Sequence, residues 1–355
     1  MNAVWKNVAC SMKFIEPETI PFVIWNTAPF CSSLAGVNQK DVYLDDALKL
    51  RVQLNLQRTF PDAMLFPGPF PDFGAALEPS MLGCEVIWPD NDAPYAKRRL
   101  KDISEVNGLT VPSDMVNAGL MPAMLRQYGH MWRSLPKEYV DDYGYLDGLG
   151  YALGPLETAA LVLGYTDFLI NLVYEPVLTH RLLEITCDTI LGSLRLQQKI
   201  NGPIKRLFLA DHMAHQVSLS MFEEFCFPYY RMIFGEFSNA EVRLYHNEGN
   251  LEHIAGRIAG FGANIVHHGM PIKALKRMAD GRVTMMGNVP TVETMLNGTE
   301  KQVYDAATQC LLDGATGGGF LLSTAGGMAP GTPAENVSAA IRATRAYPKG
   351  ERKHG

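Results

Sequence analysis

The second half of the chain alternates short apolar segments with segments of helical periodicity. This alternation predicts a parallel β-sheet covered by helices, because a helix must carry the chain back before the next parallel strand begins. Five such strand–helix units follow one another at spacings of roughly 20 to 40 residues. The predicted strands cover residues 206–211, 241–247, 263–268, 282–289 and 318–324.

Three earlier apolar segments extend the pattern to eight units. They lie at residues 62–68, 84–89 and 149–154. Eight units in about 300 residues predict an α/β fold, the (β/α)8 TIM barrel, here with extra N-terminal helices. A doubly wound open sheet has the same periodicity, and the number of units favours the barrel. Long helices are predicted between residues 157 and 200, with Pro176 at a helix start.

Composition sets limits on the partners of the chain. Its 355 residues include 31 basic and 37 acidic side chains, and 47% are apolar, which is enough for a large core. The absence of a basic surplus argues against a nucleic-acid partner. No apolar run approaches the ~20 residues of a membrane span, so no membrane association is expected. We expect one domain over residues 1–345, followed by a basic, flexible tail at 346–355.

The cysteines are scattered and form no CxxC pair. This pattern is typical of free thiols in a reducing compartment, so we expect a cytoplasmic protein without disulfides or a thiolate zinc site. The six positions are Cys10, Cys31, Cys84, Cys187, Cys226 and Cys310.

Histidines are concentrated where the predicted strands end. In a barrel, catalytic groups come from the carboxyl ends of the strands, so this concentration indicates an active site. Asp211 and Glu248 occupy equivalent positions and extend the set of candidates. Five of the nine histidines lie there or one turn away: His212, His215, His246, His267 and His268.

His246 and Glu248 form a His-x-Glu pair at the end of a predicted strand. Alternate residues of an extended segment point the same way, so imidazole and carboxylate can converge on a divalent metal. His267 or His268 of the next strand would supply a third ligand. Alternatively, Glu248 caps the helix that begins near Asn250, and His246 binds a neighbouring side chain.

Asp211 and His212 form a second candidate pair, for acid–base chemistry. The alternative is a capping aspartate beside a half-exposed histidine. The glycine-rich segments at 287–290 and 314–319 lack the spacings of nucleotide-binding loops, so no nucleotide cofactor is predicted. The catalytic candidates are therefore Asp211, His212, His246 and Glu248.

At several of these segments the sequence resembles the uroporphyrinogen decarboxylase superfamily, and within it the cobalamin-dependent methyltransferases. The resemblance extends from about residue 21 to residue 343 and implies a (β/α)8 barrel. The segments that carry it include GPLETAALVLGYTDFLINLVYEPVLTHRLLE (154–184), LADHMAHQVSLSMFEEFCFPYYRMI (209–233), YHNEGN (245–250), MMGNVPTVETMLNGTEKQV (285–303) and STAGGMAPGTPAENV (323–337).

The departures from the family pattern narrow the expected activity. The decarboxylases carry an arginine-rich N-terminal signature, whereas the corresponding segment here, PFVIWNTAPFCSSLAG, has no arginine for an anionic porphyrin. Thiol-directed methyltransferases of the superfamily hold zinc with His-x-Cys and a distant Cys. Here His246 matches the histidine, Glu248 replaces the first cysteine, and the second falls near Gly326.

A site of nitrogen and oxygen ligands is suited to an oxygen-containing substrate rather than a soft thiol. The resemblance therefore implies demethylation of a small methylated donor, with a methoxylated aromatic favoured. The methyl group would pass to Co(I) of cobalamin or another corrinoid, supplied by a separate corrinoid protein. Zinc is the expected metal, and a homodimer is compatible with the sequence. The alternatives are a decarboxylase-like lyase acting on a non-porphyrin substrate and a non-catalytic corrinoid-binding scaffold.

Overall fold

A curved sheet of eight parallel strands forms the centre of the molecule in the computed structural model, which describes residues 2–279 and 281–347. Two further strands, β3 and β4, form a separate antiparallel hairpin. Along the large sheet the order is β2-β1-β10-β9-β8-β7-β6-β5. The ten strands are β1 (Phe22–Trp25), β2 (Ala63–Phe66), β3 (Glu85–Ile87), β4 (Tyr95–Lys97), β5 (Leu149–Leu153), β6 (Arg206–Ala210), β7 (Val242–Asn247), β8 (Ile265–His268), β9 (Thr284–Val289) and β10 (Phe320–Thr324).

Helices cover the outer face of this sheet, as a (β/α)8 barrel requires, and the predicted fold class is confirmed. One helix precedes β1, and Pro176 begins the longest helix. The α-helices are α1 (Ala3–Met12), α2 (Ala28–Ala35), α3 (Gln39–Leu44), α4 (Asp46–Thr59), α5 (Leu77–Met81), α6 (Met121–Ser134), α7 (Lys137–Tyr143), α8 (Pro155–Leu163), α9 (Tyr165–Tyr174), α10 (Pro176–Asn201), α11 (Leu219–Met221), α12 (Phe227–Glu236), α13 (Ile272–Ala279), α14 (Glu300–Gly314) and α15 (Ala334–Ala346).

Shorter helical turns complete the connections. The helix predicted near residue 252 is a 3₁₀-helix, and the one predicted after Pro290 is a π-helical turn. The 3₁₀ segments are Ile103–Gly108, Met115–Asn117, Met213–Gln216 and Glu252–Phe261, and the π segments are Phe222–Cys226 and Thr291–Leu296.

One predicted barrel strand was wrong. Residues 84–89 contain β3, which pairs with β4 outside the barrel and is exposed at Glu85. The remaining barrel strand is β1, Phe22–Trp25, which pairs with both β2 and β10. All four of its residues are buried because a barrel strand is covered on both faces. Which of the two segments joins the barrel depends on its pairing with other strands, and the residues of a segment do not themselves reveal that pairing.

Tyr145 fills the gap between β2 and β5. Within residues 2–279 and 281–347, no backbone ladder joins these two strands. The Leu65 amide of β2 instead donates to the Tyr145 hydroxyl at 3.2 Å, and this hydroxyl donates to the Gln57 side chain. Gly68 has a φ of +97°, and any side chain there would collide with the Tyr145 ring. The phenol thus replaces a strand pairing at the point where the barrel closes.

No single helix among the described residues is long and apolar enough to cross a membrane; α8 and α9 reach that length only as a pair bent by 106°. Of the tail predicted at 346–355, Ala346 ends α15, and residues 348–355 lie outside the described residues. The single domain over residues 1–345 stays a prediction.

Removing the Tyr145 hydroxyl should destabilise the barrel. Tyr145→Phe leaves the buried Leu65 N–H and the Gln57 carbonyl without this partner, so we expect a loss of about 1–3 kcal/mol in unfolding free energy. Urea denaturation measures this change. Tyr174→Phe, at a side chain 77% exposed, is the matched control and should stay within about 0.5 kcal/mol of the parent. Equal stability of the two variants would contradict the structural role of Tyr145.

Candidate functional site

A cavity of about 350 Å³ lies at the carboxyl ends of β1, β5, β6 and β7. This is the end of a barrel where chemistry takes place, because the loops that follow the strands meet there. Aromatic rings form much of the wall, and a few acidic and imidazole side chains share it. The aromatic residues are Trp25, Tyr43, Phe70 and Tyr151, and the others are Asp72, His212, His246 and Glu248.

Strand register places His246 among the other candidates. In the parallel ladders it lies level with Ala210 of β6 and with His267 of β8. Its ring stacks on Trp25 of β1, with centroids 4.5 Å apart and planes 21° apart. The ring of His212 meets it edge-on at 5.1 Å. Three neighbouring strands and β1 therefore fix the position of one buried imidazole.

Two hydrogen bonds define the protonation of the buried histidine pair. His267 Nε2 lies 2.9 Å from the Thr324 carbonyl oxygen, which can only accept, so this nitrogen carries a proton. Burial, reinforced by His246, lowers the pKa of His267 far below its usual value, so the ring is neutral and its Nδ1 accepts. His246 Nδ1 lies 2.8 Å away and must be the donor. Burial also lowers the pKa of His246, so this ring is neutral as well. Its single proton is on Nδ1, and its Nε2 therefore carries an unprotonated lone pair.

The Glu248 carboxylate faces this lone pair. Its Oε1 atom lies 3.5 Å from His246 Nε2 and accepts the Gly327 N–H at 3.0 Å. Burial opposes ionisation of Glu248, but the hydrogen bond from the Gly327 N–H and the nearby His212 lower its pKa, so it is a carboxylate at neutral pH. Two electron-rich atoms this close repel each other unless a cation or a proton lies between them. The pair therefore fits a bound metal ion.

Gly326 explains how a glutamate fits at this position. A side chain at residue 326 would collide with the Glu248 carboxylate. The chain thus has the larger side chain at 248 and none at 326, and the carboxylate occupies the shared space. The capping alternative is not what the structure shows, since Asn250 Oδ1 accepts the Glu252 N–H at the start of the following helix.

Glu157 of α8 holds His212. One of its oxygens accepts the His212 backbone N–H at 3.0 Å and lies 3.7 Å from His212 Nδ1. The Tyr165 hydroxyl donates to the other oxygen. Burial favours the neutral His212 ring, but the hydrogen bond and charge of Glu157 outweigh it and raise the pKa of His212 above its usual value. A carboxylate behind an imidazole is also the arrangement that orients metal-binding histidines.

His212, His246 and Glu248 form one group whose ligand atoms all lie within 4.8 Å of one another. The His-x-Glu convergence expected from strand alternation is therefore present. The third member comes from β6 rather than from β8. Two nitrogens and one oxygen at this spacing fit a tetrahedral divalent ion with an open position for substrate.

The structure does not bring His267 or His268 into this group. Both ring nitrogens of His267 are used, by His246 and by Thr324. His268 is fully buried, and neither of its ring nitrogens has a hydrogen-bond partner among the described residues. β-Strand alternation explains this difference, because neighbours in a strand point to opposite faces. The sequence placed both histidines at a strand end but could not tell which would contact His246.

Asp211 is fully buried and does not line the cavity. Its carboxylate accepts the backbone N–H groups of Leu156 at 3.0 Å, Glu157 at 3.3 Å and Met213 at 3.0 Å. Burial and the charge of Glu157 raise its pKa to about 7. These contacts correspond to the capping alternative rather than to acid–base chemistry on a substrate.

Sequence reasoning missed Trp25, Glu157 and Tyr165. Trp25 lies in the strand that was not recognised. Glu157 is in the first turn of α8, where an acidic residue is common for local reasons alone, so its sequence position carried no functional signal. Only the approach of α8 to the end of β6 shows that it contacts His212.

The fold and the site together define a TIM-barrel protein with a cluster of His212, His246 and Glu248 at the carboxyl ends of its strands. Residues 23–347 match the sequence profile of the uroporphyrinogen decarboxylase (URO-D) family, and the chain belongs to that family. The membership expected from the sequence motifs is thereby confirmed.

The relatives of this chain are named for two different activities. The chain is 25% identical over 281 residues to a methylated-thiol–coenzyme M methyltransferase of Methanosarcina mazei, which covers 78% of this chain and 72% of that protein. It is 23% identical over 294 residues to the uroporphyrinogen decarboxylase of Dechloromonas aromatica, covering 78% and 77%. A solved structure of a methyltransferase from Methanosarcina mazei superposes with a TM-score of 0.79 at 19% identity, over 96% of this chain and 98% of that one, which establishes the shared fold.

Removing the charge of Glu157 should lower the pKa of His212. In metal-free protein, Glu157→Gln takes away the carboxylate that favours the imidazolium, so burial dominates and the neutral ring becomes favoured at lower pH. NMR titration of labelled histidine side chains measures this change. Glu224→Gln is the matched control, because Glu224 lies 3.6 Å from His180 and should leave His212 unchanged. An unaltered His212 titration in Glu157→Gln would refute the assignment.

Proposed function

We propose that this protein is a methyltransferase that takes a methyl group from a methyl ether, favoured as a methoxylated aromatic, and passes it to Co(I) of a corrinoid on a separate protein. The observation that carries the proposal is the His246 lone pair facing the Glu248 carboxylate beside an aromatic-walled cavity. Methylated-thiol chemistry in the relative from Methanosarcina mazei supports methyl transfer as the reaction class.

The reaction breaks the bond between the ether oxygen and its methyl carbon. The electron pair of that bond stays on the oxygen, and Co(I) supplies the two electrons of the new cobalt–carbon bond. The products are a methyl–Co(III) corrinoid and the demethylated alkoxide or phenoxide, which takes up a proton. Because Co(I) is a strong nucleophile, the oxygen leaving group is the difficult part, and positive charge beside it lowers the barrier.

The residues of the cluster fit a divalent metal, with zinc as the expected ion. His246 Nε2, Glu248 and His212 would hold it, and when bound it would act as a Lewis acid on the leaving oxygen. Glu157 orients the His212 ring, and His267 fixes the His246 tautomer so that Nε2 is the nitrogen that faces Glu248. These contacts hold the ligand atoms in place before any ligand arrives.

The aromatic wall fits the donor ring. The ring centroids of Phe70 and Tyr151 lie 4.9 Å apart, and those of Tyr151 and Trp25 lie 6.4 Å apart. The Trp25 ring in turn stacks on the His246 ring. A flat ring lying along this wall would reach the metal-binding cluster and exclude water from it. No cysteine is among the described residues that line the cavity, so a soft thiolate centre is not supported.

Porphyrinogen decarboxylation is the less favoured activity within the family. Its substrate carries many carboxylates, which need cationic partners. None of the described cavity-lining residues is lysine or arginine. A decarboxylase-like reaction on another substrate would use no metal, and metal dependence distinguishes it from methyl transfer.

The test of the proposed function is a donor screen with free Co(I) cobalamin. Purified protein is mixed anaerobically with cobalamin in its Co(I) state and with methyl ethers, methylamines or thioethers in turn. Formation of methyl–Co(III) is followed by its absorbance spectrum. We expect turnover with methoxylated aromatics. Turnover only with amines or thioethers would reject the ether donor, and no methyl transfer from any donor would reject the function.

Glu248→Gln should remove bound zinc and methyl transfer together. The amide keeps an acceptor for the Gly327 N–H but loses the charge that faces His246, so we expect the rate to fall at least about 100-fold. The melting temperatures of the metal-free parent and variant should be the same, because loss of bound zinc would itself lower the value. Metal analysis and the cobalamin assay give the two readouts. Glu252→Gln, at an exposed residue of the following helix, is the control. Full activity of Glu248→Gln, or of protein stripped by a chelator, would refute the metal role.

A further inference from the structure

The cavity has a second acidic group at some distance along its wall from the metal-binding cluster. Asp72 lines the cavity and is 6% exposed. Its two carboxylate oxygens accept the N–H groups of Ala28 at 2.8 Å and Gly74 at 2.7 Å. Because each oxygen has two lone pairs, the carboxylate keeps acceptor capacity for a ligand.

Asp72 and the cluster are joined by the aromatic wall. The Asp72 N–H donates to the Phe70 carbonyl at 2.9 Å, and the Phe70 ring is the first of the series that continues through Tyr151 and Trp25 to His246. A ring lying on this wall with its methoxyl group at the cluster would direct a further substituent towards Asp72. The carboxylate is thus placed to contact the part of the donor that does not react.

None of the described residues that line the cavity beside Asp72 is lysine or arginine, and the lining side chain whose pKa is shifted towards a positive charge is His212, in the metal-binding cluster. The nearest cation is Lys49, which is fully buried behind Asp72 and does not line the cavity. Its Nζ atom donates to the Asp72 carbonyl oxygen at 2.5 Å and to Gln127 Oε1 at 2.8 Å. Burial lowers the pKa of Lys49 to about 7 against the opposing charge of Asp72, so at neutral pH Lys49 offsets the Asp72 carboxylate only in part.

We propose, resting on the proposed function, that Asp72 is a specificity-determining residue that restricts the donor to uncharged, hydroxyl-bearing methyl ethers and rejects those that carry a carboxylate. A hydroxyl group donates a hydrogen bond to Asp72, whereas a carboxylate can only accept and is repelled by the fixed negative charge. Low polarity of the aromatic wall strengthens both effects. The class of donor is thus set by a residue outside the metal-binding cluster.

The test compares two donors that differ in one group. These are 4-hydroxy-3-methoxybenzyl alcohol, which is neutral, and 4-hydroxy-3-methoxybenzoate, its carboxylate counterpart. Calorimetry on the purified protein without corrinoid gives a dissociation constant for each. We expect the alcohol to bind about 100-fold more tightly. In Asp72→Asn, which removes the charge and keeps one of the two oxygen acceptors, the ratio should fall below about 10-fold.

Asp188→Asn is the matched control, because it removes one charge from an exposed position on α10 and should keep the full preference. Equal binding of the two donors to the parent protein, or no binding of either, would overturn the inference. This comparison uses the parent protein alone, so it does not depend on whether a variant folds. An unchanged preference in folded Asp72→Asn would overturn the role of Asp72. Selective binding of the alcohol without methyl transfer to Co(I) would reject the proposed function and leave the charge selection standing.

Discussion

The hydrogen bond between the two Nδ1 atoms of His246 and His267 is the interaction on which the site depends. It requires an unprotonated Nδ1 on the accepting ring, and burial provides this by lowering the pKa values of both rings so that both are neutral. Because the Thr324 carbonyl fixes the proton on His267, the direction of the bond is settled and the lone pair of His246 is exposed towards Glu248. A backbone carbonyl on β10 thus decides which nitrogen on β7 can bind an ion.

The same geometry relates this protein to its family. A cysteine at 248 and another near 326 would give a sulfur-rich centre, whereas Glu248 fills the space next to Gly326 and makes the centre harder. Residues 248 and 326 are sterically coupled, since the glutamate needs a residue without a side chain opposite it. A change of ligand chemistry and a change of substrate class therefore have one structural origin in the proposed function.

Much of the fold was predictable from the sequence, and the parts that were not predicted have physical causes. Seven of the eight barrel strands were predicted because each shows a clear apolar segment followed by helical periodicity. The eighth, Phe22–Trp25, was missed because its place in the barrel depends on pairing with β2 and β10, which its own residues do not reveal. His246, Glu248 and His212 were recognisable as strand-end residues. Glu157 was not, because its contact with His212 spans 55 residues of sequence.

The sequence by itself determined the alternation that builds the barrel, the family and the positions of the chemical groups at strand ends. Periodicity and motif spacing are local properties, and they follow from the chain alone. Tertiary structure decided which of these groups meet: His212 joins His246 and Glu248, while His267 serves as a hydrogen-bond partner and His268 lies outside the group. Strand register, ring orientation and burial set those contacts, and each depends on residues that are distant in the sequence.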